Sequence, residues 1–175
     1  MNVHVVHTPA EGLRCAADQL LLVDEQTVVG RSTFSEFEQW PDTLGRAIGS
    51  PLNLSAQKGL LWTGFYLKQD ALVGPNGWTE EAGALLCAIM EYALLEGAGF
   101  LALEGGAEVI EHCASAGWRV RLHERPRLSG GQTTVAASIA VSEQALLNVR
   151  SASRQSQVFL PNWQSKGATP ALGQA

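Results

Sequence analysis

Between Thr79 and Arg127 the chain reads TEEAGALLCAIMEYALLEGAGFLALEGGAEVIEHCASAGWRVRLHERPR, and its apolar positions change period several times. Leu85, Leu86, Ile89, Met90, Ala93 and Leu94 recur at helical intervals and predict an amphipathic helix. Thr79 stands where a hydroxyl can cap the first turn, and Glu80 and Glu81 where the helix dipole favours carboxylates. Gly97 suits the left-handed residue that ends such a helix. FLALE, from Phe100 to Glu104, is a short run without breakers, the pattern of a buried strand. A second helix is predicted over 107–116 with Gly117 as its stop, and WRVRLHE after it alternates like a strand. Such strand–helix units are where an α/β domain holds its ligand, so function is expected near this stretch.

Upstream, VHVVH reads as a short strand and TPAEGLRCAADQ as the start of a brief helix with Pro9 in its first turn, although residues 1–18 are poorly patterned overall. QLLLVDEQTVVGRSTF predicts a hairpin in which Leu20 to Val23 pair with Thr27 to Val29. The polar stretch after it has Ser35 and Asp42 as caps and Pro41 and Pro51 as breakers, with one short helix over 42–48. GLLWTGFYLK, Gly59 to Lys68, reads as a central strand, and DALVGPNGW as a loop into the long helix. Downstream come a turn at LSGGQ, a strand at TTVAASIAV and a helix at SEQALLNVR capped by Ser142. The order is β-β-α-β-loop-α-β-α-β-β-α, an α/β fold in one domain over 1–160 with a flexible Pro/Gly/Ala-rich tail over 161–175.

A length of 175 residues suits one sizeable core, and 46% hydrophobic with 17% charged residues is an ordinary globular composition. The first residues lack a basic region followed by an apolar run, and Glu91 and Glu96 interrupt the most apolar segment. A cytoplasmic protein without a membrane span is therefore expected. Cys15, Cys87 and Cys113 are odd in number and far apart, so they read as small core residues, and no metal site is implied.

The net charge of −5 is unevenly spread: 15 acidic and 5 basic residues up to Trp118, then 2 acidic and 7 basic. Arg119, Arg121, His123, Arg125 and Arg127 recur at every second position, which puts them on one face of an extended segment. That face can receive a phosphate or an acidic protein, or simply be solvated; an acidic chain argues against nucleic acid. Gly74, Asn76, Gly77 and Thr79 lie between a strand and a helix N-terminus, where free amides can cradle an anion or the loop can merely turn.

MEYALLEGAGFLAL, ASAGWRVRLHERP and GGQTTVAASIAVSEQALLNVR, taken in order, resemble the C-terminal half of LuxI-type acyl-homoserine-lactone (autoinducer) synthases. The resemblance covers somewhat under half the chain and implies a GNAT-like (acyl-CoA N-acyltransferase) fold, a mixed sheet with helices on both sides. Enzymes of that family move an acyl chain from an acyl carrier protein to the amine of S-adenosylmethionine, which needs a base near the amine and a polarised thioester carbonyl. The family's glutamate, serine and arginine on the central strand fall on Leu61, Thr63 and Gly64, and a further arginine falls on Thr33. MNVHVVHTPAEGLRC does not resemble the family's S-adenosylmethionine-binding segment.

The resemblance thus implies the scaffold with its catalytic positions replaced. Glu104 and His123 are the titratable candidates for any chemistry that remains. Trp62, Phe65, Tyr66, Thr133 and Thr134 are candidates for lining an acyl pocket, or for ordinary core and strand positions. Arg119, Arg121, Arg125 and Arg127 match a surface for an acyl carrier protein. The expected ligands are acyl-carrier protein or acyl-CoA, with S-adenosylmethionine as a family substrate and no tightly bound cofactor. The expectation is an autoinducer-synthase-like protein, catalytically impaired, that keeps acyl-chain or carrier binding. The alternatives are an active N-acyltransferase with a different acceptor and a protein-interaction module.

Overall fold

The computed structural model describes residues 1–8, 17–37, 58–68, 73–74, 77–123, 127–129 and 132–161. The expected helix over 42–48, the start of a helix at Pro9 and the tail from residue 162 lie outside them. Strands β1 (Asn2–Thr8), β2 (Ala17–Asp24), β3 (Thr27–Glu36) and β4 (Gly59–Leu67) form one antiparallel block. The expected hairpin joins β2 and β3: Asp24 pairs with Thr27, and Glu25 and Gln26 turn the chain at φ 44° and 72°. Both angles are left-handed, as a two-residue turn that matches strand twist demands.

Strands β5 (Val73–Gly74) and β6 (Gly77–Trp78) form a separate two-stranded ladder where the sequence predicts only a loop. Helix α1 (Glu80–Leu95) follows, with the Thr79 hydroxyl accepting from the Ala82 amide at 3.3 Å as its cap. Strand β7 (Phe100–Gly106), helix α2 (Ala107–Ser115), strands β8 (Val120–Leu122), β9 (Arg127–Ser129) and β10 (Gln132–Ala140), and helix α3 (Glu143–Ser153) complete the order. Gly97 and Gly117, at φ 67° and 84°, end α1 and α2 as the spacing predicts. Two expectations are corrected. Ser35 is not a cap but a ladder residue of β3 opposite Leu61, and the WRVRLHE strand contracts to the three residues of β8.

The main sheet runs β1-β2-β3-β4-β7-β10-β8, with β9 also on β10. All its pairings are antiparallel except that of β4 with β7, which places β4 in the centre. Side chains alternate between the two faces of the sheet. Leu20, Leu22, Phe34, Leu60, Trp62, Leu101, Leu103, Val135, Ala137 and Ile139 point to one face and form one cluster with buried residues of all three described helices. The mixed sheet flanked by helices is GNAT-like. Among the described residues, however, the helices share one face rather than covering both. The opposite face has its own small cluster of Phe100, Ala102 and Ala136, with Phe37 and Leu61 against it.

Buried polar groups tie the helix-side core together. Tyr92 of α1 packs at a tilt on Phe34, ring centroids 5.2 Å apart, and donates its hydroxyl proton to Asp18 at 2.6 Å. Burial, then the Asp18 carboxylate, pushes that phenol well above its ordinary range, so it stays protonated. Tyr92→Phe removes a donor to a buried carboxylate and is expected to cost about 1–3 kcal/mol, read as a lower urea midpoint at unchanged slope. Glu91, on the same helix, is 5% exposed and faces α3 and the segment after it. Its Oε1 accepts from Arg150 at 2.7 Å, and its Oε2 accepts from the Phe159 and Leu160 amides, each at 2.9 Å. Burial holds the Cys87 thiol up at about 11 and the Cys113 thiol at about 12, so both are inert core residues at neutral pH. No helix among the described residues is long and apolar enough to cross a membrane.

Candidate functional site: the wedge between β4 and β7

The parallel seam is short. Gly59, Leu60, Leu61 and Trp62 pair with Phe100, Leu101, Ala102 and Leu103, and there the ladder ends. Beyond it β4 continues to Leu67 along β3, while β7 continues to Gly106 along β10. The two strands therefore part at their carboxyl ends, opening a wedge between Thr63 and Glu104 onward. The β4 edge along this wedge has no ladder partner among the described residues. Such an edge can add an extended ligand as one more strand. Gly105 and Gly106 leave room beside it: a Cβ at Gly106 would meet nothing within 4 Å, and one at Gly105 only Leu103 at 3.8 Å.

The wedge starts at an irregularity. Thr33 pairs with Gly64 and Phe34 with Trp62, so Thr63 is an extra residue on β4. Two donors hold the bulge: Trp62 Nε1 and Ser32 Oγ both bond the Gly64 carbonyl at 2.9 Å. Thr63 Oγ1 reaches the Thr33 carbonyl at 3.4 Å. The bulge also decides which side chains face where. Trp62 packs edge-on against Phe65 at 5.8 Å and stacks on Phe34 at 6.4 Å, within the helix-side core. Tyr66, paired with Arg31 on the other face, is 49% exposed.

Leu61, Gly64 and Thr33 come together on the face away from the helices. Leu61 lies between Ser35 and Ala102 in the ladders, and Thr33 lies opposite Gly64. A Cβ on Gly64 would sit 3.4 Å from Thr33 Oγ1. None of these groups ionises near neutral pH. Glu104, exposed on the same face, is the carboxylate at the mouth of the wedge, one residue past the last seam pair.

The remaining candidates are spread around this face. His123 bonds the Ala136 carbonyl through its amide at 2.9 Å, while Glu104 pairs with Ala136 from the other side. Glu104 and His123 thus stand two strand spacings apart, about 10 Å, and do not form a pair. The imidazole lies 2.8 Å through Nε2 from Ser138 Oγ, a partner that nothing in the sequence singled out. Burial first, then Arg121, holds the His123 ring below the usual imidazole value.

Arg119 and Arg121 are exposed, and register puts Arg121 opposite Ser138 and Arg127 opposite Thr134, which share a face of β10. Arg125 lies outside the described residues. Thr133 is exposed, and half-buried Thr134 pairs with Gly106. Gly74 and Gly77 pair with each other in the β5–β6 ladder, Asn76 lies outside the described residues, and the Thr79 hydroxyl serves as the α1 cap. The first turn of α1 carries Glu80 and Glu81, which disfavours an anion there. No group of three or more His, Cys, Asp or Glu residues that could hold a metal is found among the described residues.

No family model and no curated protein matches the sequence. The fold does match solved structures. A CoA-dependent acyl-homoserine lactone synthase, BjaI, solved with SAM and isopentyl-CoA, is 17% identical with a TM-score of 0.64 over 81% of this chain and 66% of its own. The acyl-homoserine lactone synthase LasI is 15% identical with a TM-score of 0.64 over 86% of this chain and 78% of its own. FeeM, an N-acyl amino acid synthase from uncultured soil microbes, is 14% identical with a TM-score of 0.55 over 79% and 78%. The chain thus spans just under two thirds of BjaI's length and shares the fold that the resemblance in sequence implied.

Proposed function

We propose that this protein binds an acyl thioester in the β4–β7 wedge, as a relative of acyl-homoserine lactone synthases in which lactone formation from S-adenosylmethionine is lost or strongly reduced. The observation that carries this reading is the wedge itself: an open strand edge beside small residues, with Leu61, Gly64 and Thr33 where the family's charged groups are expected. An extended amide-bearing arm, such as the pantetheine of acyl-CoA or of an acyl carrier protein, suits an unpaired strand edge. Exposed Arg119 and Arg121 suit the acidic surface of a carrier protein.

Amine acylation, by contrast, asks for groups absent from that spot. A positioned base contributes roughly 10²–10⁴-fold. An oriented donor at the developing oxyanion contributes roughly 10²–10³-fold. Leucine supplies no base, and glycine no side-chain cation. Incubation of the full chain with S-adenosylmethionine and a panel of acyl-CoAs and acyl-carrier proteins is therefore expected to yield no acyl-homoserine lactone by mass spectrometry. Calorimetry on the same panel should show acyl-donor binding. Lactone accumulating with time would overturn the loss of activity, and absence of any acyl-donor binding would overturn the wedge assignment.

A second reading has its own observation, the Glu104 carboxylate at the mouth of the wedge. In that reading Glu104 deprotonates a different amine. Adding free amino acids and polyamines to the same incubations distinguishes the two, because an N-acyl product abolished by Glu104→Gln would establish an active acyltransferase.

A further inference from the structure

A depression of about 240 Å³ opens on the face away from the helices, at the end of β7 remote from the wedge. Phe100, Gly99 and Ala140 give it an apolar lining, and Arg119, Arg121, Val120 and Ser138 complete it. Ser138 is 5% exposed and is the polar residue in an otherwise apolar run of β10, Val135 to Ile139. Its neighbours across the ladder are Ala102 and Arg121, so one side leaves space and the other brings a cation. His123 Nε2 sits 2.8 Å from Ser138 Oγ.

We propose that Ser138 and His123 form a nucleophile–base pair that accepts the acyl group of an ester or thioester seated in this depression and passes it to water. The proposal uses residues other than those of the wedge and stands whether or not the wedge binds acyl-CoA. A hydroxyl within hydrogen-bond reach of a neutral imidazole is the arrangement that activates serine. The imidazole here is held towards its neutral form, by burial and then by Arg121, and in the tautomer with its proton on Nδ1 the Nε2 accepts from the Ser138 hydroxyl.

In the first step Ser138 Oγ bonds to the acyl carbon while its proton passes to His123 Nε2. The carbonyl electrons return as the carbon–sulfur bond breaks, and the imidazolium protonates the departing thiolate. In the second step a water oxygen bonds to the acyl carbon and gives a proton to His123. The acyl–Oγ bond then breaks, Ser138 recovers its proton, and the carboxylic acid leaves. The net change is thioester plus water to acid plus thiol. Arg121, opposite Ser138 in the ladder, is placed to stabilise the negative oxygen of either tetrahedral intermediate.

The test is a fluorophosphonate probe on the full chain, with peptide mass spectrometry, beside release of thiol from butyryl-CoA and of p-nitrophenol from its butyrate ester. One phosphonyl group on Ser138 is expected, with hydrolysis that Ser138→Ala abolishes and His123→Gln slows roughly 10²–10⁴-fold. A folded wild-type chain that takes no label and releases no product would show that the pair only ties β8 to β10. Labelling or hydrolysis undiminished in folded Ser138→Ala overturns the proposal equally. Should Ser138→Ala fail to fold, Ser138→Cys decides: alkylation by iodoacetamide that slows when His123→Gln is added supports an activated position, and no difference refutes it. p-Nitrophenyl butyrate has no pantetheine arm, so its hydrolysis judges the pair separately from the wedge.

Discussion

Glu91→Ala is expected to destabilise the fold by about 3–5 kcal/mol, the cost of leaving a buried charge without its partner. Since a domain of this size is stable by only about 5–15 kcal/mol, that is a large share of the total. The carboxylate is 5% exposed and serves three donors on two separate parts of the chain, Arg150 in α3 and the Phe159 and Leu160 amides after it. Its loss strands a half-buried guanidinium whose Nε already has no hydrogen-bond partner among the described residues. It also orphans two buried amides. Removing both charges in Glu91→Leu/Arg150→Leu should cost less than Glu91→Ala alone, because only the amides then remain unsatisfied. Urea unfolding of the single and paired variants measures the coupling. A Glu91→Ala midpoint close to wild type would show that the cluster contributes little.

Gly83→Leu is expected to be nearly as damaging, by about 3 kcal/mol, because it forces apart two helices that touch through that residue. Gly83 is buried in α1, and any Cβ there falls inside the contact distance of the Ser153 Cβ and 3.0 Å from its Oγ. Ser153 cannot swing aside without cost, since its hydroxyl donates to the Val149 carbonyl at 2.6 Å and lies 3.9 Å from Cys87 Sγ. The smaller change Gly83→Ala is the sharper test. Helix propensity alone makes alanine about 1 kcal/mol better than glycine. Overpacking costs about 1–3 kcal/mol. A net loss is therefore expected, and a thermal midpoint above wild type would mean that α1 and α3 separate freely.

Neither effect was legible in the sequence, and the reason is distance along the chain. Local patterns were readable wherever neighbours decide the outcome: the Thr79 cap, the left-handed Gly97 and Gly117, the β2–β3 turn, and the apolar runs of β4 and β7. Glu91 read only as an interruption of an apolar face, because its partner Arg150 lies 59 residues away. Ser35 read as a helix cap, since a serine before a polar run suits one. Pairing of β3 with β4 overrides that preference. The alternation of WRVRLHE suggested a longer strand, but the ladder of β8 with β10 holds Val120, Arg121 and Leu122, with single backbone bonds from Arg119 and His123 at its ends.

The candidate site was legible in part. Resemblance named Leu61, Gly64 and Thr33 as the positions aligned with the family's charged groups, and the pairing of β3 with β4 sets Thr33 opposite Gly64. Their surroundings could not be read. The bulge at Thr63 and the opening past Trp62 and Leu103 exist only once β4 and β7 pair, and Ser138 looked like one more small residue in an apolar strand until His123 stood beside it.

The seam between β4 and β7 also bears on how the chain is made. As the protein emerges from the ribosome, β1 to β4 can pair among themselves in order, but the other edge of β4 must wait for β7. That edge reads Gly-Leu-Leu-Trp, and its partner Phe100 begins some 40 residues after Gly59. At about 5–20 residues per second, roughly two to eight seconds pass with an apolar, unpaired strand edge in solvent. Open edges of this kind recruit other chains. During synthesis this apolar edge is thus open to other chains, a hazard that the finished seam removes along Gly59 to Trp62.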